Sequence, residues 1–475
     1  MAHDVKTDIL VIGAGSGGLS VAAGASQLGV DVTLLEGGEM GGDCLNYGCV
    51  PSKALLRAAK AAQEVRTSGQ FGVNGHEPEI DFAKVKGHVK SVIAGIAPMD
   101  SVERFEGLGV RVIKEYGQFV DENTVSAGNY RIKAKKIVVA TGSHAAVPPI
   151  PGLDEVTYFT NETIFEQLER PEHLIVIGAG PIGVEMGQAH RRLGSAVTIV
   201  DMGKIMPNDD PELVDVIRQK LIKEGVELKE QIAVERVEQS GNGIAVIITK
   251  DGVEERIEGT DLLIAAGRRP NVGKLNLEAA GITFDRRGIT VDDRLRSSNR
   301  KVYAIGDVAG GPQFTHIAGY HAGVIIKNLL FKMPAKVDYT ALPWVTYVEP
   351  ELAHVGMSEK QAREQFGDGG FEIARWSFHE NDRASAEAKG DGMVKVIIRK
   401  GRVYGASVVG PNAGEIIQLW CYAVQERVKL SKLASMIVPY PTLAEVNKRA
   451  AGSYFTPKLF SARTRKIVKF LQMFG

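Results

Sequence analysis

The chain has 475 residues, enough for two to four domains rather than one core. Its 44% hydrophobic and 24% charged residues are the make-up of a globular protein, and 57 Lys+Arg against 57 Asp+Glu leave a net charge of +0, which removes any electrostatic reason to expect a nucleic-acid partner. Three cysteines cannot staple a secreted fold of this size, so a reducing, cytoplasmic compartment is expected.

The opening MAHDVKTDILVIGAG has neither a basic leader nor a cleavage site, so no signal peptide is expected. No apolar run reaches the about 18 residues of a spanning helix. From Thr7, TDILVIGAGSGGLSVAAGASQLGVDVTLLE reads as strand, GxGxxG turn, helix and a second strand closing on Glu36. From His173, HLIVIGAGPIGVEMGQAHRRLGSAVTIVD repeats that plan and closes on Asp201. Gly13 to Glu36 and Gly178 to Asp201 are both 23 positions apart. Gly13 and Gly178 permit a tight turn, Gly15 and Gly180 let backbone approach a pyrophosphate, and Gly18 and Gly183 let helix and strand pack closely. The helix N-terminus receives the phosphate charge, and the closing acid accepts from ribose hydroxyls. One such motif is weak evidence, but two in matching context predict two bound dinucleotides.

Between them, GGDCLNYGCVPSK (41–53) sets Cys44 and Cys49 five positions apart. In a regular helix such residues are separated by about 7.5 Å of rise and lie on different faces. A disulfide needs Cα atoms within about 7 Å, so pairing requires a distorted turn, which Gly48 and Pro51 permit. ALLRAAKAAQEV (54–65) reads as helix and puts Cys49 near its N-terminus, where the dipole lowers a thiolate pKa. A zinc site lacks the further ligands it needs, so no metal is expected; two idle thiols are the plain alternative to a reactive pair.

Three more apolar runs end at small-residue turns: KIVVATGSHAAVPPIPG (136–152), LLIAAGRRPN (262–271) and VYAIGDVAG (302–310). PPIPG is a stiff linker and a domain boundary. Asp307 suits a polyol such as ribitol, or is simply a turn former. Cys421, in LWCYAVQERV, reads as a core thiol. The tail PKLFSARTRKIVKFLQMFG interleaves Lys458, Arg463, Arg465, Lys466 and Lys469 with apolar residues and no acid. It is either a helix packed on a dimer or a basic amphipathic stretch making peripheral contact with an anionic membrane, which would suit a lipophilic acceptor such as a quinone.

GGDCLNYGCVPSK closely resembles the redox signature of the pyridine nucleotide-disulfide oxidoreductases, flavoproteins that include glutathione reductase, dihydrolipoamide dehydrogenase and mercuric reductase. The likeness runs along essentially the whole chain, through both GxGxxG turns, the ATG, GRRPN and GDVAG turns and a C-terminal PTLAE; within the signature only Asp43, commonly Thr in the family, departs. The resemblance implies an α/β fold with two Rossmann-like, doubly wound dinucleotide-binding domains and a C-terminal α+β dimerisation domain. Residues 1–152 would form the first part of the FAD domain, 153–272 the NAD(P) domain, 273–337 the second FAD part and 338–475 the interface domain.

It further implies FAD at Gly13, Gly15, Gly18, Glu36, Gly42, Lys53, Thr141, Gly142, Ser143, Gly306 and Asp307, and a nicotinamide nucleotide at Gly178, Gly180, Gly183, Asp201, Gly267 and Arg268. Cys44 and Cys49 would form the redox-active disulfide, with Cys49 facing the flavin and Cys44 meeting the small-molecule electron acceptor. Lys53 and Glu185 would pair near the flavin's reactive nitrogen. A carboxylate at Asp201 bonds a 2′-hydroxyl and repels a 2′-phosphate, which favours NADH over NADPH, with Lys204 and Arg268 softening the choice. A homodimer is implied, in which Tyr440 faces the partner's Cys44.

The likeness breaks at IVPYPTLAEVNKRAA, where thiol-exchanging relatives have His-Pro-Thr-x-x-Glu: Tyr440 replaces the His base, and Glu445 is kept. A His near pKa 6.5 shuttles protons at neutral pH and a Tyr near 10 does not, a difference of about 10²–10⁴ in rate. Tyrosine here resembles mercuric reductase and the soluble transhydrogenases; yet RTRKIVKFLQMFG lacks the C-terminal cysteine pair of the former, and the latter generally lack the first cysteine kept here. The expected function is NADH-dependent, FAD-mediated reduction through Cys44 and Cys49 of an acceptor other than a simple dithiol. A dihydrolipoamide dehydrogenase and a non-enzymatic flavoprotein component of a partner complex are the alternatives.

Overall fold

The computed structural model describes residues 3–250 and 252–474. The chain divides into two compact units, one of residues 1–202 and 229–337, the other of 203–228 and 338–475.

In the first unit, His3–Ile12 lies parallel between Val32–Leu35 and Tyr130–Val139, with Leu10 opposite both Thr33 and Ile137. Val110–Ile113 extends the sheet beyond Val32–Leu35, and Val302–Ala304 joins alongside Tyr130–Val139, also parallel. Leu10 and Val11 are fully buried. An unbroken apolar run of this kind is what a strand covered on both faces requires. A second parallel set forms where His173–Ile177 pairs with Ala196–Asp201 on one side and Asp261–Ile264 on the other. A three-stranded antiparallel sheet, Val234–Ser240, Gly243–Lys250 and Val253–Gly259, accompanies it. Both expected dinucleotide folds are present, each with its helix (Ser16–Ser26 and Pro181–Arg192) starting directly after the second glycine of the motif.

The second unit is built on a five-stranded antiparallel sheet, ordered Pro343–Thr346, Glu351–Gly356, Arg402–Gly410, Met393–Arg399 and Glu372–Ser377. Helices pack against it, and Trp420, fully buried, donates from Nε1 to Asn447 Oδ1 at 2.6 Å. Residues 203–228, from inside the 153–272 stretch, group with this sheet. The reason is electrostatic. Lys395 is 3% exposed, and its Nζ lies 2.6 Å from Asp210, 2.8 Å from Glu212 and 2.6 Å from Glu359. Burial works against the ammonium charge, but the three carboxylates outweigh it and raise the Lys395 pKa.

The same contacts act on the acids. Burial alone would raise Glu212, yet its bonds from Arg375 and Lys395 hold it below the usual carboxylate value, and Lys395 does the same to Glu359. Their contribution to stability is therefore complete above about pH 4.5 and is lost as pH falls through the lowered values. Lys395→Met would leave the buried carboxylate of Asp210 without its cation and is expected to cost about 3–5 kcal/mol. All three tryptophans, Trp344, Trp376 and Trp420, lie in this unit, so their fluorescence during urea unfolding measures the loss; an unchanged midpoint would show the network to be idle.

Candidate active site

Both glycine turns have the geometry that their spacing requires. Gly13 and Gly178 have φ of +107° and +111°, and a Cβ on either would sit 2.4 Å from a carbonyl oxygen, that of Ala140 or Ala265. At Gly18 and Gly183 a Cβ would strike the carbonyl oxygen of Gly13 or Gly178, at 1.9 and 1.8 Å. At Gly15 and Gly180 nothing lies within 4 Å of the Cβ position, leaving room for a phosphate at the helix start. Each closing acid is already aimed. Glu36 Oε2 accepts from Ala14 N at 2.7 Å and Oε1 from Gly38 N at 2.7 Å, while Asp201 Oδ2 accepts from Ala179 N at 2.6 Å. These residues fit two dinucleotides.

The cysteine pair straddles a break between two helices. Cys44 lies in the short helix Gly42–Asn46, and Cys49 is the first residue of the helix Cys49–Thr67. That helix begins five residues before the expected start at 54, because Pro51 sits in its first turn, where the missing N–H costs nothing. At Gly48, between the two, a Cβ would meet Asp43 Oδ2 at 2.8 Å. Both cysteines are present as thiols. The hydrogen bond from Cys44, a second from Thr315 and the charge of Lys53 lower the Cys49 pKa to about 6 against the effect of burial. Its bond to Cys49 and burial push Cys44 upward instead. Cys49 Sγ is 3.3 Å from Thr315 Oγ1, and Lys53 Nζ is 2.8 Å from the buried carboxylate of Glu185. In the reduced pair the negative charge rests on Cys49 and the proton on Cys44.

Asp43, the departure within the signature, has specific partners. Its Oδ1 accepts from Asn161 Nδ2 at 3.1 Å and pairs with Arg268 Nη2 at 3.0 Å. Arg268 Nε also donates to Ser143 Oγ at 2.8 Å, and Ser143 Oγ donates to Asp307 Oδ2 at 2.6 Å. Arg268, expected on the nicotinamide side, thus lies among residues assigned to FAD. The short strand Arg268–Pro270 pairs antiparallel with Ser143–Ala145 and carries it there, with Gly267 at its head. Burial raises the Asp307 pKa while Ser143 and Arg268 oppose that rise. Thr141 and Gly142 are bonded to Asn271, which locks the ATG turn to the GRRPN turn. Gly306 N donates to Nδ1 of buried His321, which burial holds neutral by lowering its pKa to about 4. Gly42 has φ +62° and comes against Gly15. Thr315, Asn161, Asn271 and His321 escaped the sequence reading; only contacts across the fold identify them.

In the second unit Tyr440 is 66% exposed, and its hydroxyl donates to Asp382 Oδ2 at 2.7 Å. That bond, above all, raises its pKa further from neutrality. Glu445 is engaged elsewhere, accepting from Arg449 Nε at 2.9 Å. Tyr440 and Glu445 do not form an acid–base dyad with each other.

Comparison with known proteins agrees with this arrangement. Residues 7–322 match the family profile "Pyridine nucleotide-disulphide oxidoreductase", and residues 342–451 match the dimerisation domain of the same family. The chain is 35% identical over 458 residues to a mercuric reductase of Lysinibacillus sphaericus, covering 96% of this chain and 84% of that one. It is 36% identical over 461 residues to a dihydrolipoyl dehydrogenase of Geobacillus stearothermophilus, covering 94% and 96%. Among solved structures, the Cu(II) complex of the HOCl-induced flavoprotein disulfide reductase RclA from Escherichia coli superposes with a TM-score of 0.84 at 27% identity, covering 93% of this chain and 99% of that one. LpdA from Mycobacterium tuberculosis gives 0.85 at 26%, covering 94% and 99%.

In the reduced protein, the Cys49 thiolate is expected to form with an apparent pKa of about 6. Lys53→Met should move that midpoint up by about one unit through the lost charge. Ultraviolet thiolate absorbance against pH measures both, and an unchanged titration in Cys49→Ser would overturn the assignment.

Proposed function

We propose that this chain, which belongs to the pyridine nucleotide-disulphide oxidoreductase family and is a flavin-dependent enzyme of it, takes reducing equivalents from NADH and delivers them through Cys44 and Cys49 to a small-molecule acceptor other than the disulfide of a simple dithiol. The family implies FAD and a pyridine nucleotide, and the dimerisation domain makes a homodimer the expected assembly. The observation that carries the reading is Tyr440, which stands where dithiol-using relatives have a histidine and is bonded to Asp382.

When bound, FAD supplies two-electron transfer between nicotinamide and disulfide. The protein's own contribution is to hold charge and protons. Gly13, Gly15, Gly18 and Glu36 would seat the adenosine half of FAD, and Ser143 and Asp307 its ribityl side, with Arg268 balancing the carboxylates of Asp43 and Asp307. Two electrons and one proton open the Cys44–Cys49 bond to one thiol and one thiolate. Lys53, steadied by Glu185, and the start of the helix Cys49–Thr67 favour the thiolate on Cys49. Cys44 then keeps the proton and is the group that meets the acceptor.

A disulfide acceptor would need an acid–base group to protonate its leaving thiolate, and Tyr440, raised above its ordinary value by Asp382, is a poor one near pH 7. Several mercuric reductases among the relatives favour a metal acceptor, and a quinone is the other candidate. Cys421 offers no second relay, since burial raises its pKa to about 11. The preference for NADH rests on Asp201, whose carboxylate is aimed by Ala179 N. A dihydrolipoamide dehydrogenase is the second reading, favoured by the full-length likeness to the Geobacillus enzyme.

NADH is expected to reduce the purified yellow protein and give the long-wavelength thiolate–flavin absorbance, while dihydrolipoamide with NAD gives little NADH. Tyr440→His should raise that dithiol activity by about 10²-fold or more. Brisk turnover of dihydrolipoamide by the unaltered enzyme would instead establish the second reading. Asp201→Asn should raise the KM for NADH by about 10–100-fold and narrow its margin over NADPH; an unchanged ratio of kcat/KM values would remove Asp201 from the choice.

A further inference from the structure

The segment after Thr456 holds none of the residues assigned to the redox site. A single turn, Thr456–Leu459, leads into the helix Ala462–Leu471, whose N-cap Ser461 accepts from Thr464 N at 3.2 Å. Ile467, Phe470 and Leu471 follow one another at i, i+3 and i+4 and share one face of the helix, with Arg463 one turn before Ile467 on that side. Beyond the helix end, the ring of Phe474 meets that of Phe470 edge to face at 5.0 Å and extends the patch. Arg465 and Lys469 lie on the opposite face, with Lys466 at its edge.

None of this stripe is covered by its own chain: Ile467 is 48% exposed, Phe470 58%, Leu471 61% and Phe474 74%. Arg465 donates to Phe460 O at 3.1 Å, but the charges of these cations are not paired internally. Among the described residues no carboxylate lies within ion-pairing distance of Arg463, Arg465, Lys466 or Lys469. Residues 457–474 carry five Lys/Arg and no acid, while the whole chain is neutral, so the remainder has five more acids than bases. Positive charge is concentrated on one short amphipathic helix.

We propose that the helix Ala462–Leu471 is an in-plane anchor that docks the enzyme on an anionic phospholipid surface. The apolar stripe would sink to the level of the first acyl carbons, and the opposite face would hold its cations among the lipid phosphates. A helix of ten residues spans about 15 Å, and no helix among the described residues is long and apolar enough to cross a bilayer, so contact is with the surface alone. A homodimer carries two such anchors, and their joint engagement strengthens a contact that would be weak singly. A second copy of the tail is a poor occupant of the stripe, because each brings the same uncompensated positive charge. Anchoring holds whichever acceptor Cys44 meets, and it would place a lipophilic one within reach.

The test is flotation of the full-length, FAD-loaded dimer with vesicles of phosphatidylcholine containing about one-third phosphatidylglycerol. The protein is expected to float with these, and at least about tenfold less with pure phosphatidylcholine or in about 0.5 M salt. Ile467→Asp with Phe470→Asp, and separately Arg465→Gln with Lys466→Gln and Lys469→Gln, should each lower the bound fraction by about tenfold or more while keeping the flavin spectrum. Absence of flotation, equal binding to neutral vesicles or undiminished binding of either variant would overturn the proposal. So would dissociation of the Ile467→Asp, Phe470→Asp dimer in size-exclusion light scattering, which would assign the stripe to the subunit contact.

Discussion

Everything in the redox unit hangs on the close approach of backbone at Gly13 and Gly178. With a carbonyl oxygen 2.4 Å from the missing Cβ, neither position tolerates a side chain. The absence of one brings strand, turn and helix together so that the next backbone N–H meets the acid at the end of the following strand. The helix start, the open space above Gly15 and Gly180 and the orientation of Glu36 and Asp201 are consequences of that one packing constraint. The repetition of the whole device in one chain puts two cofactor seats in the first unit, with the cysteine pair on two successive helices that lie between them in sequence.

Much of this was legible in the sequence because it is local. The glycine spacing, the closing acids, the buried strands and the placing of Cys49 at a helix start all depend on residues within a few turns of one another. What escaped depends on pairing between distant segments. Arg268 reads naturally as a nicotinamide contact, and only the antiparallel pairing of Arg268–Pro270 with Ser143–Ala145 shows it beside Asp43 and Asp307. Thr315 sits more than two hundred and fifty positions from the thiol it contacts (|i−j| = 266), with no motif of its own to mark it. Residues 203–228 look like an ordinary continuation of the second nucleotide fold; the carboxylates that bind them to Lys395 are visible as partners only in three dimensions.

The site also separates what the fold determines from what single side chains determine. Helix dipole, Lys53 and the hydrogen bond from Cys44 suffice to sort proton and charge between the two thiols, and none of them specifies the acceptor. In the proposed function, selectivity at that end falls to the residue at 440, where a phenol in place of an imidazole changes which protons can be moved at neutral pH. Asp382 strengthens the distinction by engaging the phenol as a donor. One scaffold can thus serve unlike oxidants with its electron path unaltered.

Asp43 has an implication for how this sequence can drift. Its carboxylate occupies the space that a Cβ at Gly48 would need, and its charge is balanced by an arginine from a remote strand. Threonine at 43, the commoner residue, would still leave its backbone carbonyl oxygen 3.0 Å from that Cβ position and would strand Arg268 between fewer acids. Replacing Arg268 alone would leave Asp43 and Asp307 facing each other without a cation. The three positions form an epistatic set, in which the effect of changing one depends on the others. Gly48 and Arg268 stand in stretches shared with the family, so it is the acid at 43 whose tolerance depends on the other two.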